Sequence, residues 1–135
     1  MKELLLFFIF TLFSNYSYSQ SDENFVYIGS NTENFKHYVY KEKVNSLSID
    51  AWIKTIEPTK TVKNKKGKYV KTGGRYSLTF VSMNCSTREY DITQEVTYNI
   101  DGKVISSNDF PKYGKKVIPG SIMTSVCDYL CSEEE

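Results

Sequence analysis

The chain has 135 residues, and its 17 lysine and arginine residues nearly balance its 16 aspartate and glutamate residues. A formal net charge of +1 gives no overall electrostatic reason to expect a nucleic-acid or membrane partner. Aromatic residues make up 15% of the chain, which favours a β-rich fold because aromatic rings pack well on pleated sheets.

The first nineteen residues are typical of an export signal. Lys2 precedes an apolar run at residues 4–13, which suits a signal peptide and is too short for the roughly 20 residues that span a bilayer. Ser17 and Ser19 form a small-x-small cleavage pattern, so we expect residues 1–19 to be removed and residues 20–135 to form one domain. The first cysteine is Cys85, so we expect an exported, periplasmic or secreted protein without a lipid anchor and without a transmembrane segment.

Alternating apolar residues predict an antiparallel sheet of about six strands. The predicted strands cover residues 24–29, 36–40, 47–54, 76–83, 90–98 and 103–105. In the third strand, Leu47, Ile49, Ala51 and Ile53 share one face, whereas Trp52 lies on the polar face and indicates that this face is covered near one end.

The fifth strand is predicted to place four apolar side chains on one face, namely Tyr90, Ile92, Val96 and Tyr98. It leads to Asp101-Gly102, a strong signal for a two-residue hairpin in which both central residues take positive φ. The sequence therefore predicts a hairpin between the fifth and sixth strands.

A short helix is predicted at the C-terminal end of the chain. Pro119 and Gly120 end the strand pattern, and Ser121 is the expected N-cap. The expected apolar stripe consists of Ile122, Met123, Val126 and Leu130, flanked by Cys127 and Cys131. The predicted fold class is thus α+β, with a C-terminal helix packed on one face of the sheet.

Three cysteines after an export signal imply one disulfide and one remaining thiol. A bond between Cys127 and Cys131 is disfavoured, because a helix holds such a pair about 6 Å apart with poorly directed Cβ atoms. Cys85 is therefore expected to pair with the helix. Helix geometry alone slightly favours Cys127 over Cys131 as its partner, because Cys127 lies nearer the centre of the apolar stripe.

A strongly basic segment connects the third and fourth predicted strands. No acidic residue lies between positions 60 and 75. The cations of this segment are Lys60, Lys63, Lys65, Lys66, Lys68, Lys71 and Arg75. Gly67, Gly73 and Gly74 are expected to keep this arm flexible. The candidate contacts to a polyanion or partner protein are Lys63, Lys65, Lys66, Lys68 and Lys71. The alternative is a solvated loop whose charges prevent aggregation at the sheet edge.

The sequence offers little support for catalysis or metal binding, so we expect a non-enzymatic protein without a cofactor. The single histidine, His37, and the three cysteines lack the ligand spacing of a metal site. Cys85 with His37 as a base is disfavoured, because thiols of exported proteins tend to be oxidised. The carboxylates of Asp50, Asp91 and Glu95 are expected to be solvated on polar strand faces.

The order and spacing of these elements over nearly all of residues 20–135 resemble the surface-adhesin protein E family. The matching segments are Phe25-Val26-Tyr27-Ile28-Gly29, Tyr38-Val39-Tyr40, Ala51-Trp52-Ile53-Lys54, Asn84-Cys85-Ser86-Thr87-Arg88, Tyr98-Asn99-Ile100-Asp101-Gly102-Lys103-Val104-Ile105, and the stretch from Pro119-Gly120-Ser121 to Cys131. The resemblance implies a helix held by a disulfide on the concave face of a sheet of about six strands, with Cys131 as the helix cysteine. The chain departs from the family at Cys127, at Thr124, and in lacking a lipidation cysteine.

By this resemblance, the protein is expected to bind extracellular-matrix or host-surface proteins, or a haem-like ligand. The alternative is a periplasmic accessory protein that binds a small apolar ligand between helix and sheet. That alternative predicts a cavity under the helix, lined by Phe80, Tyr90 and Tyr98.

Overall fold

The computed structural model describes residues 24–132, which form an antiparallel sheet, a separate two-stranded sheet and one helix. The export signal predicted for residues 1–19 lies outside the described residues. The strands are β1 Val26–Ser30, β2 Lys36–Val44, β3 Ile49–Ile56, β4 Lys60–Lys63, β5 Tyr69–Thr72, β6 Tyr76–Asn84, β7 Glu89–Tyr98, β8 Val104–Asp109 and β9 Lys115–Lys116, and the helix is α1 Ile122–Cys131.

The main sheet has the order β1-β2-β3-β6-β7-β8, and β9 pairs with the first residues of β7. All of its pairings are antiparallel. These six consecutive strands correspond to the six predicted from the sequence, so the predicted antiparallel sheet is confirmed. No helix within residues 24–132 is long and apolar enough to cross a membrane.

The hydrophobic core lies between α1 and one face of the sheet. The sheet supplies Val39, Ala51, Val81 and Met83, and none of these side chains is exposed to solvent. The helix supplies Val126, Cys127 and Leu130, each at most 1% exposed. Burial of each larger apolar side chain contributes about 1.5–3 kcal/mol, so this contact is the main stabilising layer of the domain.

Two apolar predictions were wrong at the edges of this core. Leu47 lies in the turn between β2 and β3, where a backbone hydrogen bond joins Asn45 to Ser48, and it is 79% exposed. Cys127, which was predicted to flank the apolar stripe of the helix, is fully buried, more deeply than Ile122 and Met123 of that stripe.

A bulge in β7 divides its apolar residues between the two sides of the sheet. Gln94 pairs with Phe80, and Ile92 pairs with the adjacent Val81, which leaves Thr93 as the extra residue. The register before the bulge places Tyr90 and Ile92 on the helix side, whereas the register after it places Val96 and Tyr98 on the opposite side. The prediction that all four share one face was therefore wrong.

Three of the hairpin turns, β1–β2, β4–β5 and β7–β8, have the same construction, in which one asparagine organises the turn. The Oδ1 of Asn31 accepts hydrogen bonds from the backbone N–H groups two and four residues later, and those of Asn64 and Asn99 do the same. The residue three positions after each asparagine has positive φ. At the predicted Asp101-Gly102 hairpin only Gly102 has positive φ, so the hairpin is confirmed and the two-residue turn is replaced by a longer one.

A disulfide between Cys85 and Cys131 joins the end of β6 to the end of α1 across 46 residues of sequence. It is the pairing that the family resemblance implied, and it leaves Cys127 as the free thiol. Ser121 is the N-cap residue of α1, as predicted, but its hydroxyl does not cap the helix. Instead, the hydroxyls of Ser121 and Thr124 both donate hydrogen bonds to the carbonyl of Ile118.

Candidate functional site

The basic segment forms an ordered hairpin, which we call the basic hairpin (residues 60–72). Its strands β4 and β5 pair in register from Lys60 with Thr72 to Lys63 with Tyr69. The turn is closed by backbone hydrogen bonds between Asn64 and Lys68 and between Gly67 and Asn64. The predicted hairpin arm therefore has a defined shape, which its strand pairing and the asparagine turn provide.

The five predicted contact lysines occupy two adjoining parts of the basic hairpin. The register places Lys63 and Lys71 on one face, together with Tyr69, whose ring centroid lies 6.0 Å from the Lys63 Nζ. The others, Lys65, Lys66 and Lys68, lie in the turn. All five are exposed, and none forms an ion pair with a carboxylate among residues 24–132. Together they present a positively charged surface to solvent along one face and the turn of the hairpin.

Close contacts and an ion pair hold the base of the basic hairpin. The Arg75 Nε donates to the Glu57 Oε2 at 2.8 Å, and the Glu57 N–H donates to the Arg75 carbonyl. The side-chain hydrogen bond from Arg75 lowers the pKa of the Glu57 carboxyl, and the same bond raises the pKa of the Arg75 guanidinium. Arg75 therefore differs from the hairpin lysines, because its charge is already matched.

Gly73 and Gly74 stiffen the base rather than loosening it. Both have positive φ, of 80° and 73°. A Cβ on Gly73 would collide with the Pro58 carbonyl, and a Cβ on Gly74 would lie 2.8 Å from the Thr59 Cγ2 and 3.0 Å from the Ile100 Cδ1. Only glycine permits this close approach between the hairpin and the β7–β8 turn.

The sheet side opposite α1 carries eight aromatic side chains, which we call the aromatic face. They are Phe25, Tyr27, Tyr38, Tyr40, Trp52, Tyr76, Phe80 and Tyr98. Neighbouring strands bring them together in pairs. The Trp52 and Phe80 rings meet edge to face at 5.0 Å, and the Tyr76 and Tyr98 rings stack at 4.6 Å. Trp52 is thus shielded by an aromatic neighbour, whereas the sequence had indicated a covering layer.

Two grooves lie next to each other along the aromatic face and share Ile56 as a wall. The first has a volume of about 270 Å³ and is lined by Phe25, Tyr38, Lys54 and Ile56. The second has a volume of about 430 Å³ and leads to the base of the basic hairpin. Its lining residues are Asn34, Lys36, Ile56, Glu57, Pro58, Thr59, Gly74 and Ile100. Sequence reasoning found the hairpin but missed these grooves, because the β1–β2 turn, β3 and the β7–β8 turn build them jointly.

A third cavity, of about 60 Å³, lies at the β9 edge and is lined by Asp91, Ile92, Phe110, Pro111, Tyr113 and Lys115. None of the three cavities is lined by a residue of α1. Phe80 and Tyr98 lie on the aromatic face, so they do not line a cavity under the helix as the apolar-ligand alternative predicted.

The side chains considered for catalysis have structural partners. Cys85 is bonded in the disulfide, so it cannot act as a nucleophile with His37 as its base. The His37 Nδ1 lies 3.1 Å from the Thr55 Oγ1, and the Nε2 is buried and has no hydrogen-bond partner among residues 24–132. Burial lowers the pKa of His37, which favours the neutral imidazole.

The three carboxylates expected to be solvated accept hydrogen bonds instead. Asp50 accepts from Asn45 and Ser82, Asp91 accepts from the backbone N–H groups of Tyr113 and Gly114, and Glu95 accepts from Thr79. Within residues 24–132, no three histidine, cysteine, aspartate or glutamate side chains are grouped so that they could hold a metal ion.

No protein-family model, no curated protein and no solved structure matches this chain significantly. The basic hairpin and the grooves beside it are therefore interpreted from their own geometry and charge.

Proposed function

We propose that this protein is an exported, non-enzymatic binding domain that captures a polyanionic macromolecule with its basic hairpin. The observation that carries the proposal is a cluster of exposed lysines on an ordered support, none of which forms an ion pair within residues 24–132. Five lysines lie on one face and in the turn of a paired two-stranded hairpin whose base is pinned by Glu57 and Arg75. A solvated loop would not need this ordered construction.

The ordered hairpin lowers the entropic penalty of binding. Lysines on a flexible loop must be immobilised when a polyanion binds, whereas here the turn hydrogen bonds of Asn64 already hold the backbone. The lysine charges are concentrated at one end of a domain with a net charge of only +1, so the attraction is local. Binding should therefore weaken as salt screens the lysines.

The resemblance to the surface-adhesin protein E family supports an exported binding domain, with a host-surface or matrix macromolecule as the partner. The proposal that a small apolar ligand lies between helix and sheet has less support. Val126, Cys127 and Leu130 pack directly on the sheet with at most 1% exposure, which leaves them no contact surface for a ligand.

The test is retention on immobilised heparin under a salt gradient. Replacing Lys63, Lys65, Lys66 and Lys68 by serine should move elution to much lower salt. The matched control replaces Lys43, Lys112, Lys115 and Lys116, which are also exposed but lie outside the hairpin. It removes the same charge and should shift elution far less. Equal shifts for the two variants would show that only net charge matters and would overturn the proposal.

A further inference from the structure

We infer that the two grooves on the aromatic face bind successive sugar rings of an acidic polysaccharide and that lysine side chains bind the carboxylates of those rings. The inference rests on the proposed function and identifies its polyanion as a uronate-containing glycan. Four observations carry it: the lining of the first groove, the lining of the second groove, the wall that they share, and the position of the hairpin lysines next to the second groove.

The first groove combines apolar ring surface with a cation. Phe25, Tyr38 and Ile56 form its apolar walls, and Lys54 is its charged residue. The Lys54 Nζ lies 5.8 Å from the Phe25 ring centroid and 5.2 Å from that of Tyr76, so the ammonium is held over the aromatic surface. Aromatic faces carry partial negative charge and attract the C–H face of a sugar, while an ammonium attracts its carboxylate.

The second groove is suited to hydroxyl groups. Its lining residues include Asn34, Thr59, Lys36 and Glu57, whose side chains carry an amide, a hydroxyl, an ammonium and a carboxylate. These groups offer both donors and acceptors, and Glu57 keeps free acceptor positions beside its bond to Arg75. A polyhydroxylated ring can satisfy such a mixed lining.

The shared wall indicates a linked ligand. Both grooves contact Ile56, so two rings bound in them would be neighbours. Each volume is at the small end of ligand pockets and accommodates about one ring rather than a large molecule. The second groove ends at Pro58 and Thr59, immediately before Lys60, so a longer chain would continue along the hairpin lysines.

The same lining disfavours single-stranded nucleic acid. The phosphodiester backbone of DNA offers hydrogen-bond acceptors only, so it has no donor for the Glu57 carboxylate in the lining of the second groove. Sugar hydroxyls can both donate to this carboxylate and accept from the donors beside it.

The experiment compares the binding of three polymers to the protein at one ionic strength: polygalacturonate, polyphosphate and single-stranded poly-dT. Polygalacturonate supplies sugar rings with carboxylates, whereas polyphosphate supplies charge without rings. We expect at least about tenfold tighter binding of polygalacturonate than of polyphosphate at equal charge. Tyr38→Ala and the exposed Lys36→Gln should each weaken polygalacturonate binding by about three- to tenfold and leave polyphosphate binding unchanged.

Tyr113→Ala, which removes a 75% exposed aromatic side chain away from the grooves, is the matched control and should change neither affinity. The four-lysine hairpin variant should weaken binding of both polymers. Suppose that the four-lysine variant weakens binding of both polymers. If Tyr38→Ala and Lys36→Gln then weaken binding of neither polymer, or weaken binding of the two polymers equally, the grooves do not bind sugar and only this inference fails. If the four-lysine variant weakens neither, the proposed function fails as well. Tighter binding of poly-dT than of polygalacturonate would overturn the glycan assignment.

Discussion

The Cys127 Sγ lies 3.9 Å from the Cys131 Sγ, although Cys131 is already bonded to Cys85. A thiolate at this distance could exchange with the disulfide. Burial raises the pKa of the Cys127 thiol, however, and the protonated thiol is a poor nucleophile. The core that surrounds Cys127 therefore protects the disulfide from the third cysteine.

The first prediction concerns the reactivity of Cys127. Its thiol is fully buried, so alkylation by iodoacetamide at pH 8 should be slower in the native protein than in urea by about two orders of magnitude. Mass spectrometry of the alkylated, digested protein should find Cys85 joined to Cys131 and the label only on Cys127. Native labelling at the rate of a free peptide thiol would contradict this burial.

The second prediction concerns the stability that the disulfide supplies. The bond closes a loop between two residues that are 46 positions apart in the sequence. Because the loop is long, the double variant Cys85→Ser with Cys131→Ser should lose about 4 kcal/mol of unfolding free energy. Replacing both cysteines prevents either from pairing with Cys127. Urea denaturation measures the loss, and Cys127→Ala serves as the control, with an expected loss of about 1 kcal/mol for a small buried side chain. Equal losses would show that the cross-link contributes nothing of its own.

The third prediction concerns His37, which is 7% exposed and has a lowered pKa because it is buried. In the unfolded chain this imidazole becomes protonated as the pH falls through about 6.5, whereas in the folded protein it is still neutral at that pH. The unfolded state then binds more protons, so the stability contributed by neutral His37 is present above pH 6.5 and is lost as the pH falls below it.

Urea denaturation between pH 7.5 and pH 5.5 checks this sign. The wild type should lose more stability across that interval than His37→Gln, which cannot be protonated and keeps a side chain able to bond Thr55. Parallel curves for the two proteins would contradict the role of His37, and a wild type that gains stability at pH 5.5 would reverse its sign.

Six strands of the main sheet were predictable because most of them follow a local apolar alternation, whereas β9 consists of two lysines and was not predicted. A single inserted residue also defeats this kind of prediction. Thr93 reverses the faces of Val96 and Tyr98, and the sequence marks it with no proline or glycine. The organising role of Asn31, Asn64 and Asn99, which occupy equivalent positions in three turns, was also missed, because glycine is the more prominent turn signal in the sequence. The grooves were beyond prediction, since they depend on how the base of the basic hairpin meets Ile100.

The choice between Cys127 and Cys131 shows a different limit. The helix stripe correctly placed Cys127 nearer the core, but a buried cysteine need not be the bonded one. Cys85 lies just after β6 and meets the last residue of α1, where the Cα atoms of Cys85 and Cys131 are 5.6 Å apart. That distance depends on the tertiary position of the helix, so periodicity alone could not supply it.

The fourth prediction concerns the base of the basic hairpin and compares two glycines with similar positive φ. Gly74→Ala should destabilise the protein by about 2–4 kcal/mol, because the new Cβ meets Thr59 and Ile100 in addition to the strain of positive φ. Gly114→Ala carries a similar φ of 63° with nothing within 4 Å of its Cβ, so it should lose only about 1–2 kcal/mol.

Urea denaturation gives both values, and binding of polyphosphate and polygalacturonate gives the functional consequence. The clash at Gly74 should displace the second groove relative to the lysines, so Gly74→Ala should weaken polygalacturonate binding more than polyphosphate binding. Gly114→Ala should leave both affinities unchanged. If the two variants are equally stable and bind alike, the hairpin base tolerates movement. The close packing of Gly74 against Ile100 would then not be what aligns the basic hairpin with the grooves.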